Sequence, residues 1–264
     1  MRRPSLLAAF VSAAAALAFG LGAAPAASAA GQNYVALGDS YSAGVGSTSD
    51  YLDSCDRSTA AYPYLYSQSH ALDSFSFQAC TGATAPDIEN NQLGALNSAT
   101  TLVSLTDGGN DVGFSTVMTD CVLYSDSTCL NAINSAEDKA RNQLPGILDT
   151  LYGDIRSAAP GAHVVVVGYP EFYDLANSSG CVGLDNTKRT ALDDAADVLD
   201  GVISDAVSRQ SGFTFTDVRG GFSGHELCDS SAWLHSLSWP VSDSYHPTAS
   251  GQSGAYLPAF EAGV

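Results

Sequence analysis

The run "HVVVV" (163–167) carries four consecutive β-branched apolar residues. A strand with one wet face alternates apolar and polar positions, so an unbroken run marks a strand covered on both faces. That strand is read over "HVVVVGYP" (163–170), and three other stretches read as strands: "NYVALG" (33–38), "TTLVSLT" (100–106) and "FTFTDV" (213–218). Helical periodicity separates them. Ala140, Leu144, Ile147, Leu148, Leu151 and Ile155 fall on one face, with Pro145 marking either a kink or the start of a new helix. Leu192, Ala195, Ala196, Leu199, Val202, Ile203 and Ala206 form a second stripe. Alternating strands and helices predict an α/β fold, a parallel sheet between helical layers, with its ligand site beyond the carboxyl ends of the strands.

The first strand lies close to the N-terminus, behind a leader. Arg2 and Arg3 precede an apolar Leu/Ala/Phe stretch reaching about Gly22, and "ASA" (27–29) has the small residues of a cleavage site. The expected boundaries are a signal peptide over residues 1–29 and one domain over 30–264, with no linker, charge block or repeat to divide it. Gly20, Gly22 and Pro25 interrupt the apolar stretch, which argues against a membrane anchor. Removing Arg2 and Arg3 takes the net charge from −18 to −20. Such an acidic chain is a poor partner for nucleic acid or for an anionic membrane surface. The mature protein is expected to be secreted and monomeric.

Six cysteines, an even set in an exported chain, favour disulfides over free thiols, but fifteen pairings are possible. No Cys/His spacing of the kind that binds zinc occurs, and no metal or cofactor is expected.

Two unusual loops follow predicted strands at one sheet edge: "GDSYSAG" (38–44) and "DGGND" (107–111). Taken alone, Asp39 or Ser40 is as well explained as a helix N-cap. The stretch also differs from the G-x-S-x-G elbow, because Ser42 stands where that motif has glycine. A serine nucleophile needs a base within hydrogen-bond reach and a third group to orient that base. "SDSYHPT" (242–248) offers both: His246 lies before Pro247, and Asp243 lies three residues earlier. His163 and His70 sit in strand and helix contexts, while His225 and His235 lack a carboxylate at useful spacing. Acyl transfer further needs donors for a developing oxyanion. Gly82 in "CTGAT" (80–84) and the amide of Asn110 are candidates, although each is also a natural turn residue.

Taken together, "GDSYSAG", "CTGAT", "GGNDVGF" and "DSYHPT" resemble, in order and content, the four blocks of the SGNH (GDSL) hydrolases, most closely their secreted bacterial lipase, esterase and phospholipase A branch. "GYPEFY" (168–173) and "FSGHELC" (222–228) extend the likeness over most of the chain. The resemblance implies a flavodoxin-like three-layer α/β/α fold and a Ser40–His246–Asp243 triad. The oxyanion hole would comprise the N–H groups of Ser40 and Gly82 and the Asn110 side chain. Some relatives orient the histidine with a backbone carbonyl, but the presence of Asp243 makes a full triad the expectation here. The same branch pairs its cysteines in sequence order, implying Cys55–Cys80, Cys121–Cys129 and Cys181–Cys228. The expected activity is cofactor-free hydrolysis of small-molecule or lipid acyl esters. The alternatives are a phospholipase A, a carbohydrate acetylesterase and, from another class, a non-catalytic binding module. Tyr41, Phe114, Trp233, Trp239 and Tyr245 crowd the loops and suit either an acyl chain or an ordinary core and rim.

Overall fold

The computed structural model describes residues 31–264. The expected signal peptide over 1–29, and residue 30 at the expected start of the domain, lie outside the described residues. Five strands form one fully parallel sheet: β1 (Gln32–Ala36), β2 (Leu72–Phe77), β3 (Leu102–Leu105), β4 (His163–Val167) and β5 (Phe213–Thr216), in the order β2-β1-β3-β4-β5. All four valines of β4 are fully buried, as their unbroken run requires. Sequence periodicity does not reveal β2. Its "LDSFSF" alternates phenylalanine with serine on a half-exposed edge, so it lacks the continuous apolar signal of the inner strands.

The helices are α1 (Ser40–Ala43), α2 (Tyr62–Ser69), α3 (Ala85–Asn91), α4 (Gly109–Val112), α5 (Phe114–Leu123), α6 (Asp126–Asn142), α7 (Leu144–Ala158), α8 (Asn186–Ser208), α9 (Arg219–Phe222), α10 (Ala249–Gly251) and α11 (Leu257–Gly263). From β1 the chain crosses to β2 on one side, then returns to β3 on the other. Right-handed crossovers made in opposite directions place their helices on opposite faces. Hence α2, joined by α11, covers one face, while α7 and α8 cover the other with α6 packed outside α8. The fold is a three-layer α/β/α sandwich. Pro145 starts a new helix rather than kinking an old one: α6 ends at Asn142 and α7 carries the proline in its first turn.

The reversal between β1 and β3 is a topological switch point, where the two outgoing loops part and leave a crevice. Residues 38–44 and 107–111 leave the sheet there. Cys55–Cys80, Cys121–Cys129 and Cys181–Cys228 are disulfide-bonded, and every cysteine among the described residues is paired. The first bridge stands directly against the crevice: Cys80 N–H donates to Gly38 O at 3.0 Å and Thr81 N–H to Cys55 O at 3.0 Å.

Helix α8 holds the loop after β4 with two buried carboxylates. Asp193 accepts from Phe172 N–H at 2.8 Å and Tyr173 N–H at 3.2 Å, and Asp200 accepts from Tyr169 N–H at 2.8 Å. The second oxygen of each has no hydrogen-bond partner, although that of Asp200 stands 3.9 Å from Arg219 Nε. Burial pushes Asp193 up to about 7 and Asp200 to about 8, against the backbone N–H groups that favour ionisation. Between the ordinary carboxylate range and about pH 8, folded Asp200 therefore binds a proton that the unfolded chain does not, and stability falls as pH rises through this window. Asp200→Asn keeps an oxygen for Tyr169 N–H and removes the titration. Its Tm should exceed that of the unmodified protein at pH 9, with the gap closing toward pH 5; a Tm difference independent of pH contradicts the assignment.

Candidate active site

Gly38 leaves β1 with a φ of +120°, and a Cβ there would lie 2.6 Å from Thr106 O. Only glycine fits this close approach of two backbones. The Gln92 side chain grips the same residue twice, accepting from Gly38 N–H at 2.8 Å and donating to Gly38 O at 2.9 Å. Asp39 then caps α1, accepting from Tyr41 N–H at 2.9 Å. Ser40 is the first residue of that helix, where an N–H has no intrahelical partner.

The buried Asp39 carboxylate does more than cap. It also accepts from the hydroxyls of Thr106 and Tyr169, each at 2.5 Å, while Tyr169 Oη accepts from Gly109 N–H at 3.2 Å. Burial raises Asp39 to about 6; the three donors oppose that rise, and Asp111 adds to it. Three carboxyl-end loops of the sheet thus meet on one side chain. Nothing in the spacing of the sequence marks Tyr169, Thr106 or Gln92 for these roles.

His246 Nε2 lies 2.7 Å from Ser40 Oγ, across 206 residues of sequence. Residues 233–235 run beside 245–248 and hold the imidazole in place: His235 N–H donates to His246 O at 3.0 Å, Tyr245 N–H to His235 O at 2.9 Å, and Thr248 N–H to Trp233 O at 2.8 Å. Tyr41 Oη donates to Tyr245 O at 2.6 Å, tying this segment to α1. The other ring nitrogen, Nδ1, lies 3.2 Å from Ser244 O. A carbonyl can only accept, so Nδ1 carries the proton and Nε2 is left to accept from the serine hydroxyl.

Here the structure corrects the sequence-based expectation for Asp243. Its carboxylate does not meet the imidazole; it accepts from Tyr51 Oη at 3.4 Å and Ser242 Oγ at 3.5 Å. The cause is the tight turn between the two residues. His246 N–H donates to Asp243 O at 3.1 Å and Tyr245 adopts a φ of +63°, which brings the Ser244 carbonyl to the ring instead.

Asn110 is the second residue of α4, and its Nδ2 donates to Ala83 O at 3.0 Å, leaving its second N–H available. Both oxygens of Asp111 accept from Ala85 N–H at 3.1 Å. The "ND" pair therefore grips the segment that carries Gly82. Gly82 has a φ of +73° and open space where a Cβ would stand, and the Gly82 and Ser40 N–H groups donate to no protein acceptor among the described residues.

An open cleft runs from Ser40, Tyr41 and Asn110 between α5, α6 and α8. Its far walls are apolar, including Val112, Phe114, Val117, Leu192 and Leu199. Of the aromatic residues picked out in the sequence, Tyr41 and Phe114 line the cleft, Tyr245 is buried beside it, and Trp233 stacks on His225 at 3.6 Å. Trp239 points outward. The remaining histidines are engaged elsewhere: His225 with Ser231 O, His235 with Gly46 O, His163 with Gly263 O and His70 with Tyr66. Among the described residues, no three His, Cys, Asp or Glu side chains are grouped to hold a metal ion.

Residues 36–253 match the model of the GDSL-like lipase/acylhydrolase family. The chain belongs to that family and is a carboxylic ester hydrolase of the lipase and esterase type. It is 53% identical to Lipase 1 of Streptomyces coelicolor over 234 residues, 87% of this chain and 86% of that protein. Its fold superposes with a TM-score of 0.85 on the crystal structures of an extracellular lipase from Streptomyces rimosus and of phospholipase A1 from Streptomyces albidoflavus. Each is 48% identical to this chain and is covered along its full length, the matches spanning 88% and 89% of this chain.

Burial holds His246 down at about 4 from its ordinary 6.5; the backbone carbonyls of Ser244 and Ser242 pull the other way, and His235 adds slightly to the lowering. The proton-accepting imidazole is then present throughout the neutral and mildly acidic range. The acid limb of kcat/KM on a soluble ester should fall near pH 4, and a limb at the ordinary histidine value of about 6.5 contradicts this environment. The same shift costs stability as pH falls from 6.5 to about 4, because the unfolded chain binds the proton first. The raised Asp39, Asp193 and Asp200 act oppositely over part of that range.

Proposed function

We propose that this protein is a secreted serine hydrolase that cleaves lipid-like acyl esters through an acyl-enzyme on Ser40. The observation that carries the reading is the 2.7 Å contact between Ser40 Oγ and His246 Nε2, with the opposite ring nitrogen facing the Ser244 carbonyl. Ser40 Oγ attacks the ester carbonyl as His246 Nε2 takes its proton. The tetrahedral oxyanion receives the N–H groups of Ser40 and Gly82 and the unused N–H of Asn110. Collapse expels the alcohol, protonated by His246; water then repeats the cycle on the acyl-enzyme and frees the acid and Ser40. The Ser244 carbonyl fixes the tautomer and steadies the imidazolium, a task usually given to a triad aspartate. Asp243 supports the turn through Tyr51.

The apolar walls of the cleft favour an acyl chain of several carbons over an acetyl group on a sugar. A phospholipase A reading is favoured by the relative from Streptomyces albidoflavus. Export is supported by the Arg2/Arg3 leader pattern and by the three disulfides. One catalytic domain over 30–264 agrees with the span of the family match.

Hydrolysis of p-nitrophenyl esters from acetyl to palmitoyl, of phosphatidylcholine and of acetylated xylan tests the reading. Medium or long acyl esters should be turned over, acetylated xylan should not, and Ser40→Ala should abolish all activity while leaving circular dichroism unchanged. Asp243→Asn should retain activity within about tenfold of the unmodified protein, against the ~10⁴-fold loss of an essential triad aspartate. Near-normal turnover by Ser40→Ala overturns the mechanism, and a ~10⁴-fold loss in Asp243→Asn overturns the carbonyl's role.

A further inference from the structure

The loop that precedes His246 exposes apolar side chains that the chemistry does not use. Leu237, Trp239 and Val241 are 56%, 89% and 58% exposed, alternating along "SLSWPVS" (236–242), a stretch without a charged residue. Apolar residues scattered singly over a surface are ordinary, but three within five residues on one uncharged loop form a patch. The loop is also well anchored. Ser238 N–H donates to Ser244 Oγ at 3.0 Å, Asp243 N–H to Pro240 O at 3.1 Å, and Ser244 N–H to Val241 O at 3.1 Å. Ordering these side chains on contact therefore costs little further backbone entropy. Across the turn, the Tyr51–Asp243 hydrogen bond brings in the neighbouring loop, which exposes Leu52.

We propose that residues 237–241 form an anchor that seats the enzyme on a neutral or zwitterionic lipid surface, with the entrance beside His246 facing the lipid. The proposal rests on the lipid-ester reading above. Two observations select this partner. The patch is tied to Ser244, whose carbonyl faces His246, and His246 lies 2.7 Å from Ser40 on the cleft wall, so docking there brings the lipid to the side of the site that holds the nucleophile. The chain without its leader carries a net charge of −20, and Asp50 and Asp56 flank Leu52 while Asp53 is paired with Arg57, so an anionic surface is repelled while an uncharged one is not. Tryptophan suits this place, since its apolar body and N–H group match the boundary between acyl chains and headgroups.

The test separates binding from catalysis by using the Ser40→Ala background, which cannot hydrolyse the vesicle. Partition onto phosphatidylcholine vesicles, read by co-sedimentation, should fall by on the order of 10- to 100-fold when Trp239→Ser is added. Adding phosphatidylglycerol to the vesicles should weaken binding of the parent. With Ser40 restored, Trp239→Ser should lower hydrolysis of vesicle lipid while leaving hydrolysis of p-nitrophenyl butyrate unchanged. Unaltered partition in Trp239→Ser overturns the proposal, as does a parent protein that forms dimers broken by that substitution instead of binding vesicles. Vesicle binding that depends on Trp239, in a protein that hydrolyses no lipid ester, would uphold the anchor and reject the lipid-ester reading on its own.

Discussion

The buried carboxylate of Asp39 is the junction on which the site's geometry depends. It caps α1, receives the Thr106 hydroxyl at the end of β3 and receives Tyr169 from the loop after β4. Tyr169 in turn takes the Gly109 N–H, next to Asn110. An acidic group in this setting accepts several hydrogen bonds whose donors would each cost about 1–3 kcal/mol if left buried and unmatched. Three separate crossover loops therefore have one arrangement that satisfies them together. The glycines follow from the same closeness: a side chain at Gly38 would strike the Thr106 backbone, and one at Gly109 would press on Tyr169.

Buried acid recurs through the molecule. Asp107, Asp193 and Asp200 join Asp39 in holding backbone or hydroxyl donors from within the core or beneath the loops, each raised above its ordinary range by desolvation. The net acidity visible in the composition is thus partly structural. The buried carboxylates fasten loops, and the exposed ones keep the surface well solvated.

Much of the architecture was legible in the sequence because it rests on local signals. The unbroken valines of β4 announce burial on both faces, and the α8 stripe from Leu192 to Ala206 announces a helix packed on a core. Strand β2 was hidden because an edge strand needs fewer apolar residues, and its serines face partly outward. In the site, the four motif blocks brought Ser40, Gly82, Asn110 and His246 into view. Gln92, Thr106 and Tyr169 were not visible, since their contacts with residues 38 and 39 span 54 to 130 positions and leave no periodicity. The D-x-x-H spacing misled for a related reason. Spacing gives distance along the chain, while the left-handed Tyr245 decides which oxygen faces the ring.

The most direct measurement of the central claim, that His246 activates Ser40, is labelling by a fluorophosphonate probe followed by intact-mass and peptide analysis. The account expects a single adduct on Ser40 in the unmodified protein and labelling slowed by on the order of 10²-fold or more in His246→Ala, given the usual contribution of a positioned base. An adduct on another residue, or equal labelling rates in the two proteins, would contradict it.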